Sequence, residues 1–442
     1  MFSKNTKILI ISSLDPSAGP GIVAEDFYKM FHNNNIEVDM LTKYKVSNRP
    51  EYLYVYDSKN SKSVFDLLPS KKLKSLLKKL FSKKSIIQRK GYGLFYRKET
   101  APPAPVNDVL DKISKNYDAV IISFWQTLLS FETVSAIYDK LKCQIYFVCA
   151  DYSPMTGGCH FPGECEKYTE GCGSCSALYF SMADTFTKFN MRYRKAIYDK
   201  IKPIVWVNTY MSTIFCKSIL LKDYPRIEIS YPLVDNNLFS PNNFSESREG
   251  LNISTDKFVI FFGCQYLHDK RKGVKYLLKA LHILYSTMTK EERNDVLIMV
   301  AGGYFDLIKN QLEFENKYLG YVNLSELPKI YSTSNVFLCS SIIDAGPVMV
   351  NQAMSCGTPV VSFEVGTALD VVKNRNTGYC AKVKDVNGYS EGIMEIYKQF
   401  KYDNLEYMNL RSRCRKFAMD YTSESSLFNS FKECFNKYDL QK

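Results

Sequence analysis

One stretch of the chain, residues 340–361, has an acid, a glycine and a helix start in an order that suits anion binding. Asp344 and Gly346 fall in a loop at the beginning of a predicted helix. The first N–H groups of a helix lack partners inside the helix, and the helix dipole is positive at that end. A diphosphate group is therefore expected to bind at this loop.

A second stretch, residues 262–273, follows an apolar run and precedes a helical pattern. It carries Lys270, Arg271 and Lys272 directly before Gly273. Positive side chains stabilise the negative charge that develops on a phosphoryl leaving group. This loop is therefore a candidate for phosphate binding. The alternative is a solvated basic loop, which is more plausible for Lys270 than for Lys272.

These residues resemble the signature of retaining GT-B glycosyltransferases of glycosyltransferase family 4, in particular enzymes of bacterial polysaccharide biosynthesis. That signature has an acid, seven residues, a second acid, and then Ala-x-x-Cys-Gly-x-Pro-Val-Val. Asp344 takes the place of the first acid, which approaches the sugar in the family. Gln352 takes the place of the second, which binds the ribose, and it hydrogen-bonds without charge assistance.

The resemblance also implies the other donor contacts. Lys272 matches a family lysine, and Arg271 substitutes for a family arginine whose position holds Cys264 or Gln265. A glycine-containing segment further on resembles the family's cradle for the nucleobase, and a loop near the N-terminus resembles its glycine loop. The implied donor-binding set is Gly19, Gly21, Arg271, Lys272, Tyr321, Val322, Gly346, Pro347, Val348 and Gln352.

Residues 150–160 follow a predicted strand in the N-terminal half and read Ala-Asp-Tyr-Ser-Pro-Met-Thr-Gly-Gly-Cys-His. They resemble a segment of bacterial polysaccharide glycosyltransferases in which His-Asp precedes Thr-Gly-Gly-Cys-His. Ala150 replaces that His, while Asp151 is retained and is predicted to contact sugar hydroxyls. Asp151 and Asp344 are thus the predicted catalytic pair. The resemblance implies a front-face reaction in which the leaving phosphate takes the acceptor's proton, so Asp151 is not expected to be a general base.

Four cysteines follow within 17 residues, and they are Cys159, Cys165, Cys172 and Cys175. In a reducing compartment, four clustered thiols can hold zinc tetrahedrally and pin a loop. The spacing is not that of a standard zinc finger, so structural zinc, paired thiols and disulfides all stay open, with His160 as an alternative ligand. Four protein ligands leave no open position on a metal, and no cofactor is expected for catalysis.

Short apolar runs alternate with loops and helical patterns, which predicts parallel α/β sheets whose ligands bind at the carboxyl ends of the strands. Because a single core rarely grows beyond about 250–300 residues, a chain of 442 residues predicts two domains. The predicted fold is GT-B, with two Rossmann-like, doubly wound domains that face an interdomain cleft. The acceptor domain is assigned to residues 1–232, the nucleotide-sugar domain to 253–420, and a helix crossing back to 421–442, with a linker near 235–252. The predicted strands are residues 7–12, 38–42, 119–123, 144–149, 203–207, 226–230, 257–262, 296–300, 336–339 and 359–363.

The composition, 45% hydrophobic and 24% charged, is that of a globular protein. The chain starts without a signal-peptide pattern and has no apolar run of 18 residues, which predicts a cytoplasmic protein without a membrane-spanning helix. The net charge of +12 is uneven, with 11 Lys or Arg and no acid between Lys71 and Lys98. Five apolar residues recur there at helical spacing. The segment from Lys71 to Lys90 is predicted either to bind the inner face of an anionic membrane or to pack on the core, and no nucleic acid is expected.

The sequence therefore predicts a hexosyltransferase that moves a sugar from a nucleotide-sugar donor to a glycan or lipid-linked glycan in cell-surface polysaccharide synthesis. A nucleotide-sugar epimerase of the same fold is one alternative. A non-catalytic nucleotide-sugar-binding protein is another, because Ala150, Gln265 and Gln352 depart from the family pattern. None of the four histidines lies in a nucleophile elbow, which disfavours a hydrolase.

Overall fold

The computed structural model describes residues 2, 5–14, 21–45, 51–56, 93–94, 97–179, 185–229, 232–374 and 376–439. The predicted donor residue Gly19 and the basic segment from Lys71 to Lys90 lie outside this part. The chain divides into two compact units. The first comprises residues 1–207, 211–229 and 428–442, and the second comprises residues 208–210 and 230–427.

The first unit is built on a parallel sheet of seven strands in the order β3-β2-β1-β5-β6-β8-β9. Its central strands are fully buried apolar runs, as expected where helices cover both faces. A separate antiparallel pair joins β4 and β7. The strands are β1 (Lys7–Ser12), β2 (Glu37–Tyr44), β3 (Tyr52–Tyr56), β4 (Gly93–Leu94), β5 (Ala119–Ser123), β6 (Gln144–Val148), β7 (Cys159–Phe161), β8 (Ile204–Val207) and β9 (Arg226–Glu228).

The described residues of the first half of the chain form five helices. They are α1 (Ile22–Asn33), α2 (Val106–Leu110), α3 (Phe131–Leu141), α4 (Phe186–Ile201) and α5 (Thr209–Phe215). Helix α3 begins at a capping box in which Ser130 and Thr133 exchange side-chain and backbone hydrogen bonds. Helix α4 is unusual because its buried residues include the polar side chains Asn190 and Arg194.

The second unit contains a parallel sheet of six strands in the order β12-β11-β10-β13-β14-β15. After β10 the chain moves to one side for β11 and β12, and it then returns to the other side for β13. The loops that follow β10 and β13 therefore lead apart, and such a switch point is where open α/β sheets bind ligands. The strands are β10 (Phe258–Tyr266), β11 (Val296–Gly303), β12 (Glu315–Gly320), β13 (Val336–Cys339), β14 (Val360–Phe363) and β15 (Gly378–Ala381).

Nine helices follow in the second half of the chain, within the part that the structure describes. They are α6 (Phe244–Glu249), α7 (Val274–Thr287), α8 (Lys290–Asp295), α9 (Leu327–Thr333), α10 (Val348–Ser355), α11 (Ala368–Val371), α12 (Val386–Tyr402), α13 (Asn404–Tyr421) and α14 (Glu424–Asp439). From Phe428 onward, α14 groups with the first unit, where the ring of Phe431 lies 5.3 Å from that of Trp206.

Two doubly wound parallel-sheet units confirm the predicted fold class. The polar stretch at residues 235–252 is folded within the second unit. It contains α6, where Asn243 caps the helix and Arg248 is fully buried against backbone carbonyls. No described helix is long and apolar enough to cross a membrane.

Candidate active site

The loop after β10 ends in a tight basic turn. Asp269 starts this turn, accepting a hydrogen bond from the Arg271 amide at 3.0 Å and pairing with its guanidinium at 2.7 Å. Gly273 closes the turn at φ +64°, which few residues other than glycine adopt. A Cβ on Gly273 would lie 2.0 Å from the carbonyl oxygen of Ser340, so glycine is required for the close approach of this loop to the one after β13.

Hydrogen bonds tie these two loops together. The hydroxyl of Ser340 donates to the carbonyl of Lys272 at 2.7 Å. The amide of Ile342 donates to the carbonyl of Arg271 at 2.8 Å. The path of one loop is therefore fixed by the backbone of the other.

This arrangement brings the predicted residues Lys272 and Asp344 into contact. Lys272 Nζ lies 2.6 Å from Asp344 Oδ2, and the second carboxylate oxygen accepts from the amide of Gly346 at 3.2 Å. Burial alone would lower the pKa of Lys272, but the charge and hydrogen bond of Asp344 outweigh it and raise that pKa. Lys272 therefore remains an ammonium group at the edge where open α/β sheets bind ligands.

Helix α10 begins beside this pair. Pro347 is its N-cap residue and Val348, its first residue, is partly exposed. Within the described residues no side chain caps this helix start. The amide of Val350 donates to the carbonyl of Pro347 at 3.0 Å, so the amides of Val348 and Met349, which precede it, are the candidates for binding an anion. The buried Asn208 holds the preceding loop by donating to the carbonyl of Ala345 at 2.6 Å. The sequence signal for Asn208 is its place as a polar residue directly after the buried strand β8.

Gln352 lies one turn further along α10 and is buried, with 6% of its surface exposed. Its amide oxygen accepts from the hydroxyl of Tyr331 at 3.3 Å. Burial raises the pKa of Tyr331 well above its usual value, so this hydroxyl remains a donor. Gln352 is thus a neutral amide whose hydrogen-bond partner, Tyr331, is also neutral.

The remaining predicted donor residues of the second unit are less closely grouped. Tyr321 follows the end of the edge strand β12 and exposes 79% of its surface, while Val322 packs partly against the core. Strand β11 separates β12 from β10. Cys264, near the end of β10, is a neutral thiol because burial raises its pKa to about 11, and Gln265 beside it is exposed.

Gly21 is the one predicted glycine-loop residue that the structure describes. It precedes α1 with φ −65° and ψ −25°, which is ordinary right-handed helical backbone. Any residue adopts this conformation, so these dihedral angles do not explain a glycine there. The observed backbone at residue 21 does not require the additional φ and ψ values that only glycine readily adopts.

Asp151 lies in the loop between β6 and β7 of the first unit and is only 3% exposed. Its Oδ1 accepts from the amide of Ser153 at 2.6 Å, and its Oδ2 lies 2.6 Å from Nδ1 of His160. His160 is more accessible, with 32% of its side chain exposed. From the sequence, His160 was predicted only as an alternative metal ligand.

The four clustered cysteines lie in the same unit and are partly buried. All thirteen cysteines of the chain are free thiols. The amide of Leu178 donates to the carbonyl of Cys175 at 3.1 Å. Burial and the neighbouring thiols raise the pKa of Cys172 to about 11 and that of Cys159 still further. In the described ranges no three Cys, His, Asp or Glu side chains are grouped so as to hold a metal ion. Zinc at Cys159, Cys165, Cys172 and Cys175 stays a prediction.

Residues 243–418 match the family model for glycosyl transferases group 1. The match includes Lys272, Asp344 and Gln352. It covers less than half of the chain and leaves out the loop that carries Asp151.

Curated relatives extend the likeness at low identity. An uncharacterized glycosyltransferase of Methanocaldococcus jannaschii is 22% identical over 317 residues, which cover 69% of this chain and 75% of the relative. The O-antigen chain mannosyltransferase B of Escherichia coli is 25% identical over 170 residues, which cover 37% of this chain and 43% of the relative. The chain thus spans less than half the length of the second relative.

Solved structures match nearly the whole chain. Sucrose-phosphate synthase from Thermosynechococcus elongatus has a TM-score of 0.67 at 16% identity, covering 99% of this chain and 100% of the other. HepE from Anabaena, solved with UDP-glucose, has a TM-score of 0.58 at 15% identity, covering 98% and 100%. The two parallel-sheet α/β units and these neighbours identify the fold as GT-B. With the group 1 match, they support a GT-B glycosyltransferase.

Proposed function

We propose that this protein is a retaining glycosyltransferase of the family 4 type, which transfers a hexose from a nucleotide-sugar donor. One observation carries the proposal, the 2.6 Å pair between Lys272 and Asp344 at the switch point of the second sheet. The two residues are 72 positions apart, and hydrogen bonds between their loops bring them together. An ammonium group, a carboxylate and the N-terminus of α10 then surround one location.

Each group has a task in donor cleavage. The bond between the anomeric carbon and the β-phosphate oxygen breaks, and negative charge gathers on the departing diphosphate. Lys272 and the N–H groups at the start of α10 stabilise that charge. The acceptor oxygen forms the new bond to the anomeric carbon on the same face, and its proton passes to the departing phosphate. No side chain is then needed as a general base.

Asp344 and Gln352 bind the remainder of the donor. Asp344 faces the sugar and accepts its hydroxyl hydrogens, and Gln352 contacts a ribose hydroxyl through its amide. The exposed ring of Tyr321 and the adjacent Val322 contact the nucleobase. A structural neighbour solved with UDP-glucose makes uridine diphosphate sugars the first donors to test.

The acceptor is a glycan or a lipid-linked glycan of a cell-surface polysaccharide. The partial match to an O-antigen mannosyltransferase supports this choice. The basic segment from Lys71 to Lys90 supports a peripheral position on the inner face of the cytoplasmic membrane, where lipid-linked acceptors are within reach. This arm of the proposal depends on the sequence of that segment alone.

A panel of nucleotide sugars scored by thermal unfolding tests the donor site. A donor present at about 100 times its Kd stabilises the folded protein by about 2.7 kcal/mol. We expect one nucleotide class to raise the melting temperature of the wild type, and the Lys272→Met variant to lose that rise. If the protein converts the bound donor to an epimeric nucleotide sugar when no acceptor is present, it is an epimerase. Binding without transfer to any glycan would identify a non-catalytic protein.

A further inference from the structure

The loop that carries Asp151 is held by its backbone. Five consecutive carbonyl groups, those of residues 153–157, each accept a hydrogen bond from a buried or part-buried side chain. Arg194 donates to those of Ser153 and Thr156, Tyr198 to that of Pro154 at 2.9 Å, Ser218 to that of Met155 at 3.2 Å, and Asn190 to that of Gly157 at 3.2 Å. Three of the four donors are spaced by four residues along α4, so they lie on one face of that helix.

Arg194 is itself fixed by a buried carboxylate. Its Nε and Nη2 lie 2.8 and 2.6 Å from Oε1 of Glu99, and Oε2 of Glu99 accepts from the amide of Phe131 at 2.9 Å. A buried ion pair adds little stability unless its remaining polar atoms are satisfied. Here the loop carbonyls satisfy them, and as a result the position of the loop is specified.

The loop turns a buried carboxylate toward an accessible imidazole. Both oxygens of Asp151 are already engaged, one by the Ser153 amide and one by His160. The imidazole is tenfold more exposed than the carboxylate, at 32% against 3%. The amide of Tyr152 donates to the carbonyl of His160 at 3.1 Å, which holds the histidine backbone against the same loop.

We propose that His160 is the residue of this loop that meets substrate, where it contacts a sugar hydroxyl. Asp151 and the α4 face made of Asn190, Arg194 and Tyr198 are positioning residues. Asp151 orients the imidazole, and a sugar hydroxyl can both donate to and accept from a ring nitrogen, so the exposed part of His160 suits that contact. The inference rests on the proposed function, because that function supplies the sugar. The hydroxyl belongs either to the transferred sugar or to the acceptor glycan.

Histidine footprinting with diethyl pyrocarbonate, read by mass spectrometry of the full chain, tests the contact. The reaction rate of His160 is compared without ligand, with UDP, with UDP-glucose or the donor selected by the nucleotide-sugar panel, and with UDP plus a set of methyl glycosides. His282 is the matched reference in the same molecule, because its Nδ1 also lies near a carboxylate, 2.7 Å from Glu313, and it is 65% exposed.

A ligand at about ten times its Kd should slow the reaction of His160 about tenfold, while His282 is unchanged. Protection by the nucleotide sugar but not by UDP assigns the transferred sugar, and protection only with a methyl glycoside assigns the acceptor. Equal His160 rates in all mixtures, in a protein that UDP stabilises, would overturn this inference and leave the proposed function intact. Absence of any stabilisation by nucleotides would instead overturn the proposed function, and the sugar contact with it.

The positioning role is tested without ligand. Asp151→Asn removes the carboxylate, and Tyr198→Phe removes one hydroxyl while its ring stays packed 5.0 Å from Phe131 and 5.6 Å from Phe147. Both variants should raise the rate of His160 relative to His282, and both should weaken its protection by ligand. A purely structural role would lower the unfolding temperature with no change in the ratio of the two rates, and that result would refute the positioning role.

Discussion

Replacing either member of the Lys272–Asp344 pair should change nucleotide binding in opposite directions. Lys272→Met removes the ammonium group and keeps the length of the side chain. A hydrogen bond to a charged group contributes about 1.5–3 kcal/mol, and about 1.4 kcal/mol corresponds to tenfold in Kd. We therefore expect UDP, or the nucleoside diphosphate that the panel selects, to bind roughly ten- to hundredfold more weakly.

Asp344→Asn has the reverse effect on the nucleotide, because the carboxylate competes with phosphate for Lys272 and repels it. Two unit charges about 4 Å apart interact by up to about 4 kcal/mol near a protein surface, and solvent and salt reduce that value. Nucleotide affinity should stay constant or improve by up to about tenfold. Sugar transfer should nevertheless fall, because the group that faces the sugar is lost.

Isothermal titration calorimetry at about 0.15 M salt measures both affinities, a salt level at which distant surface charges are screened. Lys270→Met is the matched control, since Lys270 belongs to the same turn and is exposed. It should change Kd less than threefold. Equal weakening by Lys272→Met and Asp344→Asn, or equal weakening by the control, would refute the reasoning.

The double variant of Lys272 and Asp344 adds a stability measurement. Lys272→Met leaves Asp344, 12% exposed in its side chain, without its cation. Breaking a buried pair by removing one partner is more costly than removing both. Urea unfolding should therefore show that adding Asp344→Asn to Lys272→Met recovers part of the lost free energy of unfolding.

Three further variants and one metal analysis have defined expected outcomes. Gly273→Ala should destabilise the protein by more than about 1–2 kcal/mol in urea unfolding and weaken nucleotide binding, because its φ is +64° and its Cβ would meet Ser340. Asp370→Asn should raise the free energy of unfolding at neutral pH. Burial raises the pKa of Asp370 in the folded state, so the wild-type protein loses stability as the pH rises through that raised pKa. Below about pH 4 the carboxyl is protonated in the folded and the unfolded state, and the stability difference between Asp370→Asn and the wild type should vanish there. Metal analysis should find about one zinc per chain if the cysteine cluster binds it, and less than about half an equivalent would argue against the site. Charge reversal of the lysines from Lys71 to Lys84 should abolish flotation with anionic liposomes, and unchanged flotation would exclude the membrane role of that segment.

The predictable part of the fold is the part with continuous apolar runs. Strands β1 and β10 each contain an unbroken run of buried apolar residues, and these runs identify them: four residues from Ile8 to Ile11 and five from Phe258 to Phe262. Edge strand β12 reads Glu-Asn-Lys-Tyr-Leu-Gly and has no such run, because solvent rather than a second layer meets most of its side chains. It was therefore not identified as a strand.

Helix α4 shows a second limit. Its Asn190 and Arg194 are buried, yet in a sequence they resemble the solvent-facing side of an amphipathic helix. Their partners are backbone carbonyls of another loop, and a carbonyl has the same chemistry in every residue. The sequence therefore does not indicate the hydrogen bonds between α4 and the loop that carries Asp151, and they could not be predicted from it.

The proposed donor site was predicted in part. Lys272 and Asp344 were identified because each follows a strand in a recognisable motif. Their direct contact was not predicted, because it depends on the approach of Gly273 to Ser340 and on the register of two loops. The same holds for His160, whose pairing with Asp151 requires the turn that brings residues nine positions apart together.

The crossing of the two loops at Gly273 also constrains how the proposed donor site can evolve. An insertion or deletion on either side of this crossing would shift both charged residues at once, since the backbones are tied at Arg271, Lys272, Ser340 and Ile342. Variation in length is therefore expected only outside the crossing. New sugar preferences are then expected to arise from substitutions around the proposed diphosphate-binding loops, whose backbone geometry stays the same.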